Sequence, residues 1–335
     1  MILAPEDCGC PIIEEGPSLV NSPVCSGNFL FMVLLQSYLW GRCSISTPCK
    51  RIESVEETEQ EYDFIVVGAG SAGSIVAGRL SENTTYKVVL LEAGGPEPLG
   101  VRVPSFYRTF WDNPAVDWQI RTVPADYCLD QEGLGCKWPL GKGLGGTSQL
   151  NGMMYHRGHH ADYTCDWVEA GAKGWSWDEI KPFMDLTEGN KQIGSLVDGK
   201  YHSDIGPLPI QTRYTTARAY LPPQSERPNL NIKLHAHVTK VLFRRKKAIG
   251  VEYVDENGNT KVVKARKEVI LSAGALTSPK ILMHSGVGPK ETLEPLGIKV
   301  IEDLPVGKNL KNHCGATLYF ILKKVKIRRF WTGVL

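Results

Sequence analysis

The chain has 335 residues, 42% apolar and 22% charged, enough to bury a substantial core as one large domain or two ordinary ones. Its 38 basic and 36 acidic residues leave a formal net charge of +2, which excludes recognition of nucleic acid or an anionic membrane through bulk charge. The longest apolar run, Phe29 to Trp40, falls short of the roughly twenty residues that a membrane helix needs.

Residues 1–60 read as a cysteine-rich leader and linker. They hold that apolar run, which is expected to be a short amphipathic helix, and end in the acidic stretch Glu53 to Glu61. No Lys or Arg precedes Arg42, so the basic flank of a signal peptide is missing. Nine cysteines stand at positions 8, 10, 25, 43, 49, 128, 136, 165 and 314 without a C-x-x-C pair, which removes zinc-ribbon spacing. Their clustering in the leader and across Cys128 to Cys136 suits disulfides and an extracellular, secreted chain. Scattered reduced thiols are the alternative.

The domain proper spans 61–322. Tyr62 to Val67 is an apolar, β-branched run, Ser71 to Glu82 has helical periodicity, and Lys87 to Glu92 is a buried-strand pattern. This is a strand-helix-strand crossover of the length that parallel pairing requires. Glycine and proline dominate Ala93 to Pro104 and Gly133 to Gly152, which are expected to be loops. Leu230 to Arg244, Gly250 to Val254, Thr260 to Ala265 and Glu268 to Ser272 read as strands, with a hairpin turn at Glu256-Asn257-Gly258-Asn259. The expected fold class is α/β: a Rossmann-like domain with a parallel sheet plus antiparallel strands, and the start of an incomplete substrate domain interleaved with it. Residues 323–335 form a basic tail.

Gly68-Ala69-Gly70-Ser71-Ala72-Gly73 follows a predicted strand and opens a predicted helix, the context a dinucleotide fingerprint requires. Gly68 permits the turn, Gly70 lets the backbone approach a pyrophosphate, and Gly73 lets helix and strand pack closely. Ser71 and Ala72 lie in the first helical turn, whose free amides and positive dipole end attract phosphate. Glu92 ends the second strand nineteen positions after Gly73, where a carboxylate accepts both ribose hydroxyls. NAD and FAD use the same crossover, so this motif leaves the choice open.

Three later segments carry a specific resemblance. Gly141 to Gly152, followed by Tyr155-His156-Arg157-Gly158, is similar to the first signature of the glucose-methanol-choline (GMC) oxidoreductases. Gly274 to Gly288 matches the second signature of that family, and Asp303 to Leu310 resembles a further family segment. The leader and the Cys128 to Cys136 loop most resemble the insect glucose dehydrogenase-like branch. The resemblance implies FAD as cofactor, with Thr147, Asn151, Gly152 and Met154 along its isoalloxazine and diphosphate side and Val238 meeting the adenine through its backbone. The glycines after 141 also have a physical reading of their own, since they let main chain lie against a flat ring system. One departure is local: after Asp162-Tyr163 the family spacing is exceeded by about one residue. A second is Asn312, where Asp is common.

In this family a histidine from the C-terminal half takes the proton of an alcohol. The chain is expected to stop before that residue, near the predicted strand Leu318 to Leu322, and to expose apolar surface and sheet edges as a result. His156, His159 and His160 are read as surface or structural, and no catalytic residue and no metal ligand is nominated. The expected function is oxidation of CH-OH donors, with a small alcohol or sugar as substrate of the longer parent and no nucleic-acid partner. A non-catalytic FAD-binding or interaction module is the alternative. A nicotinamide-dependent dehydrogenase accounts for the crossover but not for the later signatures.

Overall fold

The computed structural model describes residues 52–124, 135–210, 214–222 and 226–312. The expected helix at Phe29 to Trp40, the strand at Leu318 to Leu322 and the 323–335 tail lie outside the described residues. In chain order the elements are β1 (Glu61–Val67), α1 (Ser71–Leu80), β2 (Val88–Leu91), β3 (Ile120–Arg121), β4 (Lys137–Trp138), α2 (Trp177–Asp185), β5 (Glu188–Gly189) and β6 (Leu208–Pro209). They continue with α3 (Thr216–Tyr220), β7 (Leu230–Lys233), β8 (His237–Arg244), β9 (Lys247–Val254), β10 (Thr260–Leu271), α4 (Gly274–His284) and α5 (Lys290–Leu293).

Six strands form the main sheet in the order β7-β2-β1-β10-β9-β8. The first four are mutually parallel, and β10, β9 and β8 form an antiparallel wing, as the sequence pattern anticipates. Side chains on β1 and β2 alternate between two cores because successive strand residues face opposite sides. Ile65, Val67, Val89 and Leu91 join Val251, Tyr253, Val263 and Ile281 on one face. Val66, Val88 and Leu90 join Ala77, Ala217 and Leu230 on the other. Helices α4 and α1 thus cover opposite faces, with strands β1 and β2 between them.

Two strand expectations change in the structure. Leu230 to Arg244 breaks into β7 and β8 at His235, whose φ of 54° no continuous strand accommodates. Thr260 to Ala265 and Glu268 to Ser272 merge into one twelve-residue strand, β10. Arg266 and Lys267 look like a break, yet Arg266 stays in the strand by pairing with Asp63 on β1, with Nε to Oδ1 at 2.9 Å and Nη2 to Oδ2 at 3.0 Å. One half of β10 pairs antiparallel with β9, while pairing with β1 is parallel.

Residues 153–210 contain α2, which the sequence pattern had not been read to hold. Glu179 Oε2 accepts the Ser176 amide at 3.0 Å at its start. The surplus residue after Asp162-Tyr163 is absorbed as a π-helical turn over Asp162–Trp167, the form a helix takes when one residue is added to a turn. Nearby, fully buried Glu188 accepts hydrogen bonds from Arg157, from Asn190 Nδ2 at 3.0 Å and from His202 Nδ1 at 2.8 Å. Arg157 also donates to Asp185 Oδ1 at 2.7 Å, so this region is organised around a buried charge network.

Candidate functional site

The crossover ends of β1 and α1 meet through glycine. A Cβ on Gly73 would lie 1.8 Å from the Gly68 carbonyl oxygen, so no larger residue permits this packing of helix on strand. The start of α1 carries no side-chain cap and no acidic residue in its first turn. Its first-turn amides and positive dipole end are therefore free to face an anion.

The loop after 141 lies directly on this turn. Gly145 donates its amide to the Ala69 carbonyl at 2.8 Å. A Cβ on Gly146, whose φ is +53°, would come within 2.7 Å of Gly70 Cα, so the two backbones touch with no side chain between them. Glu92 closes the third side. Its Oε2 accepts the Ala69 amide at 2.8 Å, and its Oε1 accepts those of Gly94 at 2.9 Å and Gly143 at 3.0 Å. Burial pushes the Glu92 carboxyl above the usual carboxylate range, and the Gly94, Ala69 and Gly143 amides pull in the opposite direction.

These segments enclose a cleft of about 440 Å³. Gly68, Gly70, Ser71, Ala72, Glu92, Thr147 and Val238 line it, together with Gly141, Gly146 and the turn from Ser272 to Gly274. Gly73 stands behind the wall, where it sets the helix position. Asn151, Gly152 and Met154 follow the 3-10 turn Gly146–Gln149, are exposed, and lie outside the lining of this cleft; Met154 is 83% exposed. His156, His159 and His160 are exposed as well.

The sequence reading missed Trp118, Ala236 and His237 in the lining. Trp118 sits in a loop without periodicity, and its contact with His237, at 5.6 Å between ring centroids, joins positions far apart in the chain. His237 alone had a signal, since it precedes Val238 within the predicted strand Leu230 to Arg244. Burial, with Lys280 and Lys142 nearby, holds the His237 pKa below its ordinary value, so its ring is uncharged at neutral pH.

A larger, shallower groove of about 680 Å³ runs past Asp63, Lys87 and Arg266 on the other side of the sheet end, but its charges are already paired with one another and with Glu59 and Glu61. No cluster of residues suited to a metal ion occurs among the described residues.

Comparison with known proteins agrees with this geometry. The family model described as GMC oxidoreductase matches residues 62–212 and 197–315. Glucose dehydrogenase [FAD, quinone] of Drosophila pseudoobscura pseudoobscura is 38% identical over 93% of this chain and 58% of its own length. Oxygen-dependent choline dehydrogenase of Photobacterium profundum is 36% identical over 75% of this chain and 51% of its own length. Among solved structures, pyridoxine 4-oxidase from Mesorbium loti superposes with a TM-score of 0.65 at 29% identity, covering 73% of this chain and 55% of that one. An FAD-dependent oxidoreductase from Chaetomium thermophilum gives the same TM-score and identity over 51% of its length. The chain thus spans about half the length of the relatives it matches. Fingerprint, glycine loop and family match coincide on the same residues, and the chain belongs to the GMC oxidoreductase family.

Proposed function

We propose that the chain binds FAD in the cleft between the 68–73 turn and the 141–147 loop, as the dinucleotide-holding part of a flavoprotein oxidoreductase acting on CH-OH donors. The observation that carries this reading is the close approach of Gly146 to Gly70 beside an uncapped helix start, an approach that a Cβ on Gly146 would block. The residues fit the cofactor chemically. First-turn amides at Ser71 and Ala72 provide donors for a diphosphate, the Glu92 carboxylate accepts a ribose hydroxyl, and a 2'-phosphate is repelled there. We assign Gly68, Gly70 and Gly73 to shaping the turn, Thr147 to the diphosphate side, and Val238 to the adenine end. Asn151, Gly152 and Met154 are assigned to the exposed ring side.

Bound flavin supplies the acceptor for the hydride of an alcohol or sugar. This chain's own part is to hold the nucleotide, orient it by its phosphates and keep carboxylate and backbone dipoles around it. The small-molecule donors in the relatives' names support an alcohol or sugar as substrate class. Cys136 is disulfide-bonded, which supports an extracellular setting; no helix among the described residues is long and apolar enough to cross a membrane.

An absorbance spectrum of the purified chain after incubation with FAD tests the reading. Bound oxidised flavin is yellow, and a protein that stays colourless overturns it. Anaerobic addition of alcohols and sugars then tests turnover by bleaching. A second reading, a flavin-binding module without turnover, is supported by the lining of the cleft, where His237 is the only histidine among the described residues. Persistent colour across a donor panel is its expected result.

A further inference from the structure

Between α1 and β2 the chain turns through Asn83-Thr84-Thr85, the one N-x-S/T triplet in the 335 residues, and all three of its residues are exposed. The backbone of the turn is held by Asn229, whose Nδ2 donates to the carbonyls of Ser81 at 3.0 Å, Asn83 at 3.2 Å and Tyr86 at 2.9 Å. The Asn83 side chain is engaged only within its own triplet, where Oδ1 accepts the Thr85 amide at 3.1 Å and the Thr85 hydroxyl at 2.8 Å. Its Nδ2 has no hydrogen-bond partner among the described residues. An aspartate would make the same turn, because Oδ1 accepts both bonds; the amide nitrogen is what asparagine adds, and no described residue uses it.

Resting on the extracellular reading above, we infer that Asn83 is an N-glycosylation site. The Nδ2 atom forms a bond to C1 of the first sugar of a lipid pyrophosphate-linked oligosaccharide, and the bond from that C1 to the phosphate oxygen breaks. Nδ2 gives up one proton, the lipid pyrophosphate leaves with the electron pair, and nothing is oxidised or reduced. The hydroxyl two positions on, which the transferring enzyme requires, is supplied by Thr85 and already lies against the Asn83 amide. The position also tolerates a large polar chain. The turn leads into the start of β2, whereas Glu92 and the cleft stand past the end of that strand, so a glycan here leaves the cleft open. Thr84 and Thr85 border the groove of about 680 Å³ instead, whose charges are paired.

The test translates the full chain in the presence of microsomes from secretory cells and then treats them with protease. The expected product is a protected chain with a single upward step in apparent mass, removed by peptide N-glycosidase. Asn83→Asp keeps the acceptor oxygen and with it the turn, yet loses the step. Thr85→Ala loses it as well, and Thr85→Ser, which restores the hydroxyl, retains it. A protected wild-type chain without the step overturns the inference and leaves the extracellular reading standing. A step that persists in Asn83→Asp overturns it too, because the sugar is then carried elsewhere. A wild-type chain that the protease destroys overturns the extracellular reading and the glycosylation site together, and the FAD reading is independent of all three results.

Discussion

The carboxylate of Glu92 accepts the amide of Gly143 at 3.0 Å, which ties the end of β2 to a loop fifty-one residues further along the chain. The same oxygen accepts Gly94, and the other accepts Ala69, so one side chain fixes turn, strand end and glycine loop together.

Glu92→Gln places an amide group where only acceptors fit, leaving at least one buried backbone donor unsatisfied. The expected loss of stability is about 1–3 kcal/mol. Urea denaturation is to show it, and flavin affinity should fall in parallel because the loop and the turn lose their common acceptor.

Gly146→Ala drives a methyl into Gly70 and asks for a left-handed backbone at a residue with a side chain. Overpacking of this kind costs about 1–3 kcal/mol. The variant is expected to remain folded with its cleft displaced, so that yellow colour is lost before the cooperative melt is.

Asp63 supplies a pH dependence. The Arg266 guanidinium beside it holds its carboxyl at about 2, against an ordinary 3.8. A depressed carboxylate stabilises the fold above its unfolded pKa, and this contribution disappears as the pH falls from about 4 through about 2. Asp63→Asn should be less stable than wild type at neutral pH, with the difference vanishing at the acid end. A constant difference across that window in thermal melts refutes the assignment.

Glu188→Ala removes one of the two carboxylates that Arg157 holds and leaves Asp185 as the other. Losing a hydrogen bond between charged groups costs about 1.5–3 kcal/mol. Hydrogen exchange is expected to rise across residues 153–210 while β1, β2 and β10 remain protected, since the network touches none of those strands.

Much of this was legible in the chain itself. The crossover declared itself because its strands, helix and glycines obey local rules, and the α/β class with an antiparallel wing followed from strand patterns alone. Helix α2 was legible too, through Ser176 and Glu179, and was overlooked beside the signature region. The join within β10 was not: Arg266 reads as a strand break until Asp63, two hundred and three residues away, is seen to hold it. Trp118 belongs to the same class, because a ring in an irregular loop carries no periodicity, and only tertiary packing brings it to His237.

Strand β10 finally has a mechanical meaning. At roughly 3.3 Å per residue it is about 40 Å long, bonded over one half to β1 and over the other to the hairpin of β9 and β8. Because β9 pairs with residues 260–264 of β10 and β1 with residues 264–271, the two pairings meet at Lys264, and a displacement of either flank reaches the other through that one shared backbone.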